Sequence, residues 1–403
     1  MKKIIALLIA LTMVFAVVAC KPEAPVVDEP EVVDPVEDPV EDPVEDPVED
    51  PVEDPVEDPE VVEAIIKKVA LVTDVGTIDD ESFNQACWQG VEAYCTANNI
   101  EYTYYQPDAD STDARVLKVD QAIQEGANVI VMPGYLFGTT LIDVQERYPE
   151  VYFVAIDVGS GDMTLDYVTY YEPTANSACI TFCEEQAGFL AGYAAVKDGY
   201  TKLGFLGGMA VPAVIRYGYG FVQGADKAAA ELATAIEINY TYGGQFYGDA
   251  NITAKMEGWY AAGTEIVFAC GGGIYTSAVE AALNHNAMVI GVDVDQHYLG
   301  AEYAYNPFVT SAMKALQNST EAVLAELAAG TWDNWGGKFT QLGLAQGDYV
   351  GLPTAADSWC FKTFTQDEYA TLLASIVDGT IVVDNNTEAL PTLSEYTTFN
   401  EIA

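Results

Sequence analysis

The chain is predicted to be an α/β protein with two lobes, each built on a parallel sheet. Apolar, β-branched runs alternate with segments of helical periodicity, which is the pattern of strands joined by crossover helices. About 340 residues follow an acidic, proline-rich stretch, and this length exceeds what one small core usually serves. Aspartate and glycine residues follow one strand after another, so we expect a shared cleft where these strand ends meet.

Residues 1–20 carry the features of a secretory signal peptide. Two lysines follow Met1, and an apolar run from residue 4 to residue 19 is too short to span a membrane. Small and apolar residues precede Cys20, as in bacterial lipoprotein signals, so cleavage is expected to leave Cys20 as the lipidated N-terminus. An ordinary signal peptide with an incidental cysteine is the alternative. The mature chain is therefore expected at the extracytoplasmic face of the cell membrane, held there by lipid.

Residues 21–64 are predicted to be a disordered acidic tether. The tetrapeptide Pro-Val-Glu-Asp repeats in register from Pro35 to Asp58. Proline at every fourth position excludes a helix, like charges repel, and no aromatic residue is present to build a core. At about 3.1 Å per residue, such an extended chain could reach roughly 130 Å.

The remaining chain alternates strand-like and helix-like segments. Apolar runs typical of buried strands occupy residues 68–73, 102–105, 128–132, 151–156, 203–206, 236–240, 266–269 and 289–292. Helical periodicity covers residues 82–98, 114–125, 187–196 and 277–284. The pattern pauses near residues 170–174, which we interpret as the first crossing between lobes. The predicted first lobe comprises residues 65–172 and 308–335, and the second comprises residues 173–307 and 336–403.

Residues 71–85 form the clearest candidate for a ligand site. A buried strand is followed by an acid-rich turn, and Ser82 then opens a helix. Ser82 and Gln85 have the spacing of a capping box, which would hold Phe83 and Asn84 in the first helical turn. A ring and an amide fixed there could stack on a flat polar ligand and bond to its edge. Alternatively, Phe83 is a core residue and Asn84 is only part of a cap.

The residues that follow six of the strands share one kind of chemistry. They are Asp74, Pro133-Gly134-Tyr135, Asp157-Val158-Gly159, Gly207-Gly208-Met209, Gly271-Gly272-Gly273 and Asp293-Val294-Asp295. Glycine lets backbone amides approach a ligand closely, and aspartate accepts hydrogen bonds from hydroxyl and ring N–H groups. Both are also ordinary turn residues, but six successive strand ends of this kind favour one shared cleft.

The net charge excludes some classes of binding partner. The formal net charge is −46, and about two thirds of it falls after residue 64, which argues against nucleic acid and anionic membrane surfaces as partners. The same acidity is compatible with a saline habitat.

Six cysteines follow Cys20, several of them within apolar periodic segments, so we expect mostly free thiols. Cys179 and Cys183 have helical spacing but no nearby histidine pair, which disfavours a zinc site.

Several motifs occur in order along the folded part of the chain. They are Val72-Thr73-Asp74 with Ser82-Phe83-Asn84-Gln85, Gly207-Gly208-Met209 with Pro212, residues 217–224, Gly291-Val292-Asp293 with Asp295-Gln296, and Thr310-Ser311 with Lys314. Together they resemble the basic membrane protein family of substrate-binding lipoproteins, whose best understood members bind purine nucleosides for ABC-type importers. The resemblance covers residues 66–355, nearly all of the folded part.

This resemblance implies a type I periplasmic-binding-protein fold, in which two Rossmann-like α/β lobes with parallel sheets, joined by a three-segment hinge, close on a ligand. It implies that Phe83 and Tyr217 stack on the two faces of a purine. Many relatives have phenylalanine at the position of Tyr217, whose hydroxyl adds a polar contact. Asn84 and Asp157 match positions that read the edge of the base, and an aspartate acceptor favours guanosine or inosine.

The resemblance also implies which residues face the ribose. Asp74, Asp293, Lys314 and the backbone near Gly271 match those positions. The triplet at residues 271–273 departs from the usual family spacing, which leaves the sugar end of the site less defined. Residues 297–305 look longer than in typical relatives, and they are either a lip over the cleft or a surface excursion.

The implied function is capture of a purine nucleoside (guanosine, inosine or adenosine) and its delivery to an ABC permease with its ATPase subunit. A monomer is expected, with no cofactor, metal or catalytic residue. A nucleoside hydrolase is one alternative, but the chain has only two histidines, His285 and His297, and lacks the common hydrolase and phosphate-loop motifs. A sensor or surface-interaction lipoprotein of the same fold that binds a flavin or a sugar-like signal is another.

Overall fold

The structure is a computed structural model that describes residues 65–402. The predicted signal peptide, the lipidation site at Cys20 and the tether at residues 21–64 lie outside these described residues. Within them, no helix combines the length and the apolar character that crossing a membrane requires.

The first sheet contains six parallel strands. They are β1 (Lys68–Val72), β2 (Glu101–Tyr105), β3 (Val129–Pro133), β4 (Tyr152–Ile156), β5 (Ser177–Phe182) and β11 (Lys338–Leu342). Their spatial order is β11-β5-β4-β3-β1-β2. The central strand β3 is buried at all five positions, which explains why its sequence is continuously apolar rather than alternating.

The second sheet contains seven strands. They are β6 (Lys202–Gly207), β7 (Ile236–Tyr242), β8 (Ile266–Cys270), β9 (Met288–Asp293), β10 (Phe308–Lys314), β12 (Val350–Gly351) and β13 (Thr397–Glu401). Their spatial order is β12-β10-β9-β8-β6-β7-β13, and only the short β12 pairs antiparallel, with β10. Two parallel-stranded sheets of this kind confirm the predicted α/β class.

Nine α-helices cover and connect the two sheets within the described residues. They are α1 (Phe83–Asn98), α2 (Thr112–Gln124), α3 (Phe137–Val144), α4 (Glu184–Lys197), α5 (Pro212–Leu232), α6 (Ala250–Ala261), α7 (Tyr275–His285), α8 (Leu316–Ala328) and α9 (Gln366–Val377). Short 3-10 helices occupy Gln296–Glu302 and Trp332–Asn334. The four helical segments predicted from periodicity correspond to α1, α2, α4 and α7.

The chain passes between the two sheets three times, as the predicted hinge requires. The crossings follow β5, β10 and β11. They lie close together: the N–H of Cys183 donates to the carbonyl of Leu342, and the Lys314 ammonium lies 5.2 Å from the centroid of the Phe182 ring.

Strand pairing differs from the predicted lobe boundaries in three places. The pause near residues 170–174 is not a crossing, because β5 returns to the first sheet and pairs with β4. β10 belongs to the second sheet, so the second lobe extends to Lys314. The rest of the predicted 308–335 segment packs with the first lobe: α8 lies against α1, and the Trp332 indole donates to the carbonyl of Ala175. β11 pairs with β5 in the first sheet, although residues 336–403 were predicted to belong to the second lobe.

Helices α4 and α5 approach each other unusually closely. A Cβ atom added at Gly188 would lie 2.1 Å from the carbonyl oxygen of Tyr217, and one at Gly192 would lie 2.0 Å from that of Phe221. From the other side, a Cβ at Gly224 would lie 1.9 Å from the carbonyl oxygen of Phe189. These separations leave room only for hydrogen, so glycine at these positions sets the distance between the two helices.

All six cysteines of the described residues are unpaired, in agreement with the prediction of mostly free thiols. Cys87 and Cys95 are fully buried on α1, where they pack as small apolar side chains in the core.

Candidate functional site

One large cavity lies where the carboxyl ends of the strands of both sheets meet. Its volume is about 530 Å³. Its lining includes all eight predicted ligand-binding residues: Asp74, Phe83, Asn84, Asp157, Tyr217, Gly271, Asp293 and Lys314. The structure therefore brings these residues together, whereas their roles toward a ligand stay predictions.

The first-lobe wall is an ordered turn between β1 and α1. The Asp74 carboxylate accepts hydrogen bonds from the N–H of Gly76 at 2.8 Å and from the Asn84 amide at 3.1 Å. The opposite side of Asp74 lies against Gly134, where a Cβ atom would be 2.7 Å from Oδ2. Burial raises the pKa of Asp74, although these hydrogen bonds oppose the increase.

The predicted capping box at Ser82 and Gln85 is wrong. Asp80 caps α1 instead, because its carboxylate accepts hydrogen bonds from the backbone N–H groups of Ser82, Asn84 and Gln85 at 3.0 to 3.1 Å. Gln85 turns back to Glu81, and the Ser82 hydroxyl points away from the helix to Asp293. A carboxylate can accept several bonds at once, which makes Asp80 the stronger cap. Burial raises the pKa of Asp80 to about 6.

Asn84 lines the cavity and is held by hydrogen bonds from its amide nitrogen. Its amide nitrogen donates to Asp74 Oδ1 at 3.1 Å and to Asp80 Oδ2 at 3.3 Å, which fixes the orientation of the amide group. The carbonyl oxygen Oδ1 is buried and has no hydrogen-bond partner in the protein. Asn84 therefore carries an unused hydrogen-bond acceptor on a residue that lines the cavity.

A buried charge network forms the floor of the cavity. The Lys314 ammonium lies 2.6 Å from Asp157 Oδ2 and 3.0 Å from Glu184 Oε1. The second Glu184 oxygen accepts a 2.6 Å bond from Arg216 Nε. Lys314 and Glu184 are almost fully shielded from solvent, so each charge depends on its partners. The other oxygen of Asp157, Oδ1, is buried and unpartnered.

The pKa directions show which charges this network retains. Burial raises the pKa of Asp157 to about 6, and the nearby Lys314 ammonium only partly opposes the increase. Burial acts to lower the pKa of Lys314, but the carboxylates of Asp157, Glu184 and Asp293 outweigh it and raise that pKa. Burial acts to raise the pKa of Glu184, but Arg216 and Lys314 lower it overall. At neutral pH, Asp157 and Glu184 are therefore ionised and Lys314 is charged.

Three aromatic rings surround the Lys314 ammonium. The ring centroids of Phe83, Phe182 and Tyr217 lie 5.0, 5.2 and 5.8 Å from Nζ, a range in which ring faces attract cations. Tyr217 is only 2% exposed, and its ring packs edge-on against Phe268. The hydroxyl of Tyr217 lies close enough to Asp293 to lower the pKa of that carboxyl, which burial raises overall.

Two aspartates at strand ends adopt the left-handed backbone conformation. Asp157 follows β4 with φ of 62°, and Asp293 ends β9 with φ of 64°. Aspartate tolerates this conformation better than most residues, and such local strain clusters at ligand sites. The two residues occupy matching places in the two lobes, so each lobe turns one carboxylate toward the shared cavity.

The sequence analysis missed four residues that shape this site: Asp80, Glu184, Arg216 and Phe246. Phe246 follows β7, and its ring lies within about 3 Å of where Cβ atoms at Gly208 and Gly271 would be. It lines the cavity and is only partly buried, so it presents a second-lobe ring that is more accessible than Tyr217. A glycine pair follows β7 shortly before Phe246, as at the other strand ends, so the sequence does contain a pattern that indicates a cavity residue here.

Comparisons with known proteins agree with this architecture. The chain is 28% identical to the ABC transporter nucleoside-binding protein BmpA of Lactococcus lactis subsp. cremoris, over 78% of this chain and 88% of the relative. It is 31% identical to basic membrane protein A of Borreliella afzelii, over 81% of this chain and 94% of the relative.

Solved structures share the fold. An ABC transporter solute-binding protein from Aeropyrum pernix K1 superposes with a TM-score of 0.61 at 21% identity, covering 79% of this chain and 88% of that chain. One from Conexibacter woesei superposes with a TM-score of 0.62 at 20% identity, covering 79% of this chain and 99% of that chain.

The family assignment rests on nearly the whole folded part. The family model Bmp, described as ABC transporter substrate-binding protein PnrA-like, matches residues 67–387. The match begins in the segment before β1 and ends beyond α9, so it spans both lobes and all three crossings. The chain therefore belongs to the Bmp family of PnrA-like ABC transporter substrate-binding proteins.

Proposed function

We propose that this substrate-binding protein captures a purine nucleoside (guanosine, inosine or adenosine) between its two lobes and delivers it to an ABC permease and its ATPase subunit. The relative from Lactococcus lactis is named as a nucleoside-binding protein, which supports this ligand class. The cavity of about 530 Å³ is within the range of small-molecule sites and accommodates a base with its sugar.

The observation that carries the proposal is that one cavity is lined by an aromatic ring and by two residues whose side-chain oxygens lack a hydrogen-bond partner. Asn84 Oδ1 and Asp157 Oδ1 are both buried without a hydrogen-bond partner, and both residues line the cavity together with Phe83. A buried acceptor without a partner costs free energy, which a ligand N–H group would recover. A flat ligand with N–H donors along its edge fits this arrangement.

The acceptor pair favours guanosine and inosine over adenosine. Guanine carries an N–H and an amino group on one edge, and hypoxanthine carries the same ring N–H. Adenine has an unprotonated ring nitrogen at that position, and this nitrogen would face the ionised Asp157. Two hydrogen-bond acceptors that face each other repel, so Asp157 disfavours adenosine as well as attracting guanosine.

The polar end of the cavity suits a ribose. Asp74 and Asp293 offer carboxylate oxygens to hydroxyl donors, and Gly271, with φ of 144°, brings backbone close to the cavity. Lys314 donates one hydrogen bond to Asp157 and forms an ion pair with Glu184 at 3.0 Å, so its ammonium retains donor capacity for a ribose oxygen. In this proposal Lys314 links recognition of the sugar to that of the base.

Phe83 supplies the first-lobe face of the stack, and the second lobe contributes Tyr217 or Phe246. Tyr217 is the partner that the sequence predicts, whereas Phe246 is the more accessible ring. Stacking on an aromatic ring contributes about 1 to 3 kcal/mol per base. A ligand held by rings on opposite lobes stabilises the closed state by its higher affinity for that state.

We further propose that the protein acts at the extracytoplasmic face of the cell membrane, anchored by lipid on Cys20, and as a monomer. The lipoprotein-like residues before Cys20 support the anchor, and the acidic tether supplies the reach. Binding without chemistry is the role of the family, so no catalytic residue is assigned.

Calorimetry of the purified full chain tests the ligand. We expect heat of binding with guanosine and inosine, weaker binding of adenosine, and none with cytidine, riboflavin or ribose. Phe83→Ala should weaken all purine nucleosides about tenfold or more, whereas Asp157→Ala should remove the preference among them. Comparing Phe246→Leu with Tyr217→Leu identifies the second-lobe ring, because each change removes one ring and only loss of the stacking ring should weaken every purine nucleoside.

Absence of heat with every purine nucleoside would refute the proposal. Binding of riboflavin or ribose alone would instead support a sensor for a flavin or a sugar-like signal. Release of free base from the nucleoside during the titration would indicate a hydrolase.

A further inference from the structure

The two lobes also meet at a contact beside the cavity, which we call the latch. Its first-lobe side is the turn at residues 80–82, and its second-lobe side is the segment 293–298. The segment 293–298 includes the first part of the stretch that the sequence left open as a lip or a surface excursion. A hydrogen bond from the Tyr298 hydroxyl to Glu81 places Tyr298 against the first lobe, which is the position of a lip.

Three hydrogen bonds join the two sides of the latch. The Ser82 hydroxyl donates to Asp293 Oδ2 at 2.6 Å, and both side chains are buried. The Gln296 amide donates to the carbonyl oxygen of Glu81 at 2.9 Å. The Tyr298 hydroxyl, at the exposed rim, donates to the Glu81 carboxylate. All three bonds join opposite lobes, so they exist only while the lobes are closed.

The first-lobe side of the latch is held in shape by its own bonds. Glu81 has a φ of 52°, the left-handed conformation that non-glycine residues rarely adopt. The Gln85 side chain holds both the backbone and the side chain of Glu81: it accepts from the Glu81 N–H at 2.9 Å and donates to the Glu81 carboxylate at 3.0 Å. This geometry turns the Glu81 carbonyl outward to Gln296.

The second-lobe side is equally ordered. Gln296 is fully buried: its side-chain oxygen accepts from the N–H of Val292, and its own N–H donates to the Ser311 hydroxyl at 3.0 Å. Only its amide nitrogen is left to reach across the lobe boundary. A side chain fixed in this way loses little rotamer freedom when the lobes meet.

We infer that Ser82 is a positioning residue that couples lobe closure to completion of the ligand site, and that Gln296 and Tyr298 set how long the ligand is retained. The inference rests on the proposed function. Asp293 both lines the cavity and receives Ser82, so closure orients the carboxylate that the ligand meets. The latch bonds favour the closed state alone, and therefore they slow opening and ligand release rather than ligand entry.

Stopped-flow kinetics with guanosine on the full chain test this inference. Ser82→Ala should raise the dissociation rate about tenfold, because it removes a buried hydrogen bond, and leave the association rate within about twofold. Ser82→Thr, which keeps the hydroxyl, should restore most of the retention. Tyr298→Phe, at a residue that is 52% exposed, should raise the dissociation rate about threefold without affecting folding.

Tyr303→Phe is the matched control. Tyr303 lies in the same stretch, but its ring packs against the core of the second lobe rather than against the first lobe. This variant should release guanosine at the wild-type rate. Equal dissociation rates in wild type, Ser82→Ala and Tyr298→Phe would overturn the inference while leaving the proposed function intact.

Small-angle scattering without ligand gives a readout that does not depend on the nucleoside. Loss of latch bonds should shift the lobes toward open states, so the radius of gyration should be larger for Ser82→Ala and Tyr298→Phe than for wild type and Tyr303→Phe. If wild type binds no nucleoside, the proposed function fails, and the scattering still decides whether the latch holds the lobes together. An unchanged radius of gyration in both latch variants would contradict the inference that the latch holds the lobes together.

Discussion

Asp157 combines three properties that are seldom found in one side chain. It is buried, it pairs with Lys314 through one oxygen, and its other oxygen has no partner. Lys314 keeps it ionised at neutral pH, while burial keeps its pKa near 6. In the proposed function this oxygen accepts a ligand N–H group, and its pKa limits that role to a range of pH.

We predict that guanosine affinity falls as the pH decreases through about 6. The ligand N–H group needs the ionised carboxylate, whose pKa in the free protein is about 6. Affinity should be constant between pH 7 and 8 and should approach a tenfold loss per pH unit well below 6. Calorimetry across this range provides the measurement, and Asp157→Asn should abolish the dependence.

Glu185→Gln is the control for this pH dependence. Glu185 is buried near the same network, and burial raises its pKa to about 7, but it does not line the cavity. The variant should keep the midpoint near pH 6. If the midpoint disappears in Glu185→Gln and persists in Asp157→Asn, the titrating group is Glu185 and the prediction for Asp157 is wrong.

At this scale the sequence predicted which residues gather, but not how they pair. Strand ends of parallel sheets meet at one edge, so Asp74, Asp157, Gly271 and Asp293 could be found without coordinates. Tyr217 and Lys314 were assigned only through the family resemblance. The pairing of Lys314 with Asp157 could not be predicted, because 157 positions separate them and no local pattern records the contact. The capping box failed for a related reason: Ser82 matched a local pattern, while its actual partner Asp293 lies on the other lobe.

Among the secondary-structure elements, α4 and α5 depend most on individual residues. Gly188 and Gly192 on α4 face Gly220 and Gly224 on α5, and each lies against the backbone of the opposite helix. Such proximity maximises contact between the helices but tolerates no added atom. Because α4 directly follows the first crossing, this contact also fixes where the second lobe begins.

We predict that Gly224→Ala lowers the free energy of unfolding by about 3 kcal/mol, because the new methyl group would overlap the carbonyl of Phe189. Gly258→Ala is the same change at an exposed position of α6, where nothing lies within 4 Å of the added atom. It should stabilise by up to about 1 kcal/mol through helix propensity. Urea unfolding followed by circular dichroism measures both, and effects of the same sign would contradict the packing argument.

Elements with clear periodicity were predicted well, and those at the crossings were not. All eight predicted strands are present, whereas β5, β10, β11, β12 and β13 were missed. β5 (SACITF) and β10 (FVTSAMK) mix small polar residues with apolar ones and show neither a continuous apolar run nor strict alternation. Without β5, the sequence placed the first crossing too early, and the lobe boundaries shifted with it.

The whole molecule carries a large excess of negative charge. The chain has 62 acidic and 16 basic residues, and about two thirds of the net charge falls after residue 64. Like charges on one compact body repel, and dissolved salt weakens that repulsion. The stability of the folded lobes should therefore depend on ionic strength.

We predict that the melting temperature of the full chain rises by several degrees between about 0.02 M and about 0.3 M sodium chloride, because the Debye length shortens over this range. Differential scanning calorimetry provides the measurement. The rise should be similar with sodium bromide, since screening depends on ionic strength. A rise that begins only near molar salt and follows the identity of the anion would indicate preferential exclusion of salt instead.

The three crossings have a mechanical consequence for recognition. Two bodies joined at one point can rotate about any axis, whereas bodies joined at three neighbouring points keep few of those rotations. The chain passes between the lobes beside Phe182, Lys314 and Leu342, so we expect opening to be a swing with little twist or sideways slip. Each closure of the lobes would then re-form the hydrogen bond between Ser82 and Asp293 rather than pair Ser82 with an adjacent residue. The connectivity of the hinge would thus determine how reproducibly the ligand site forms.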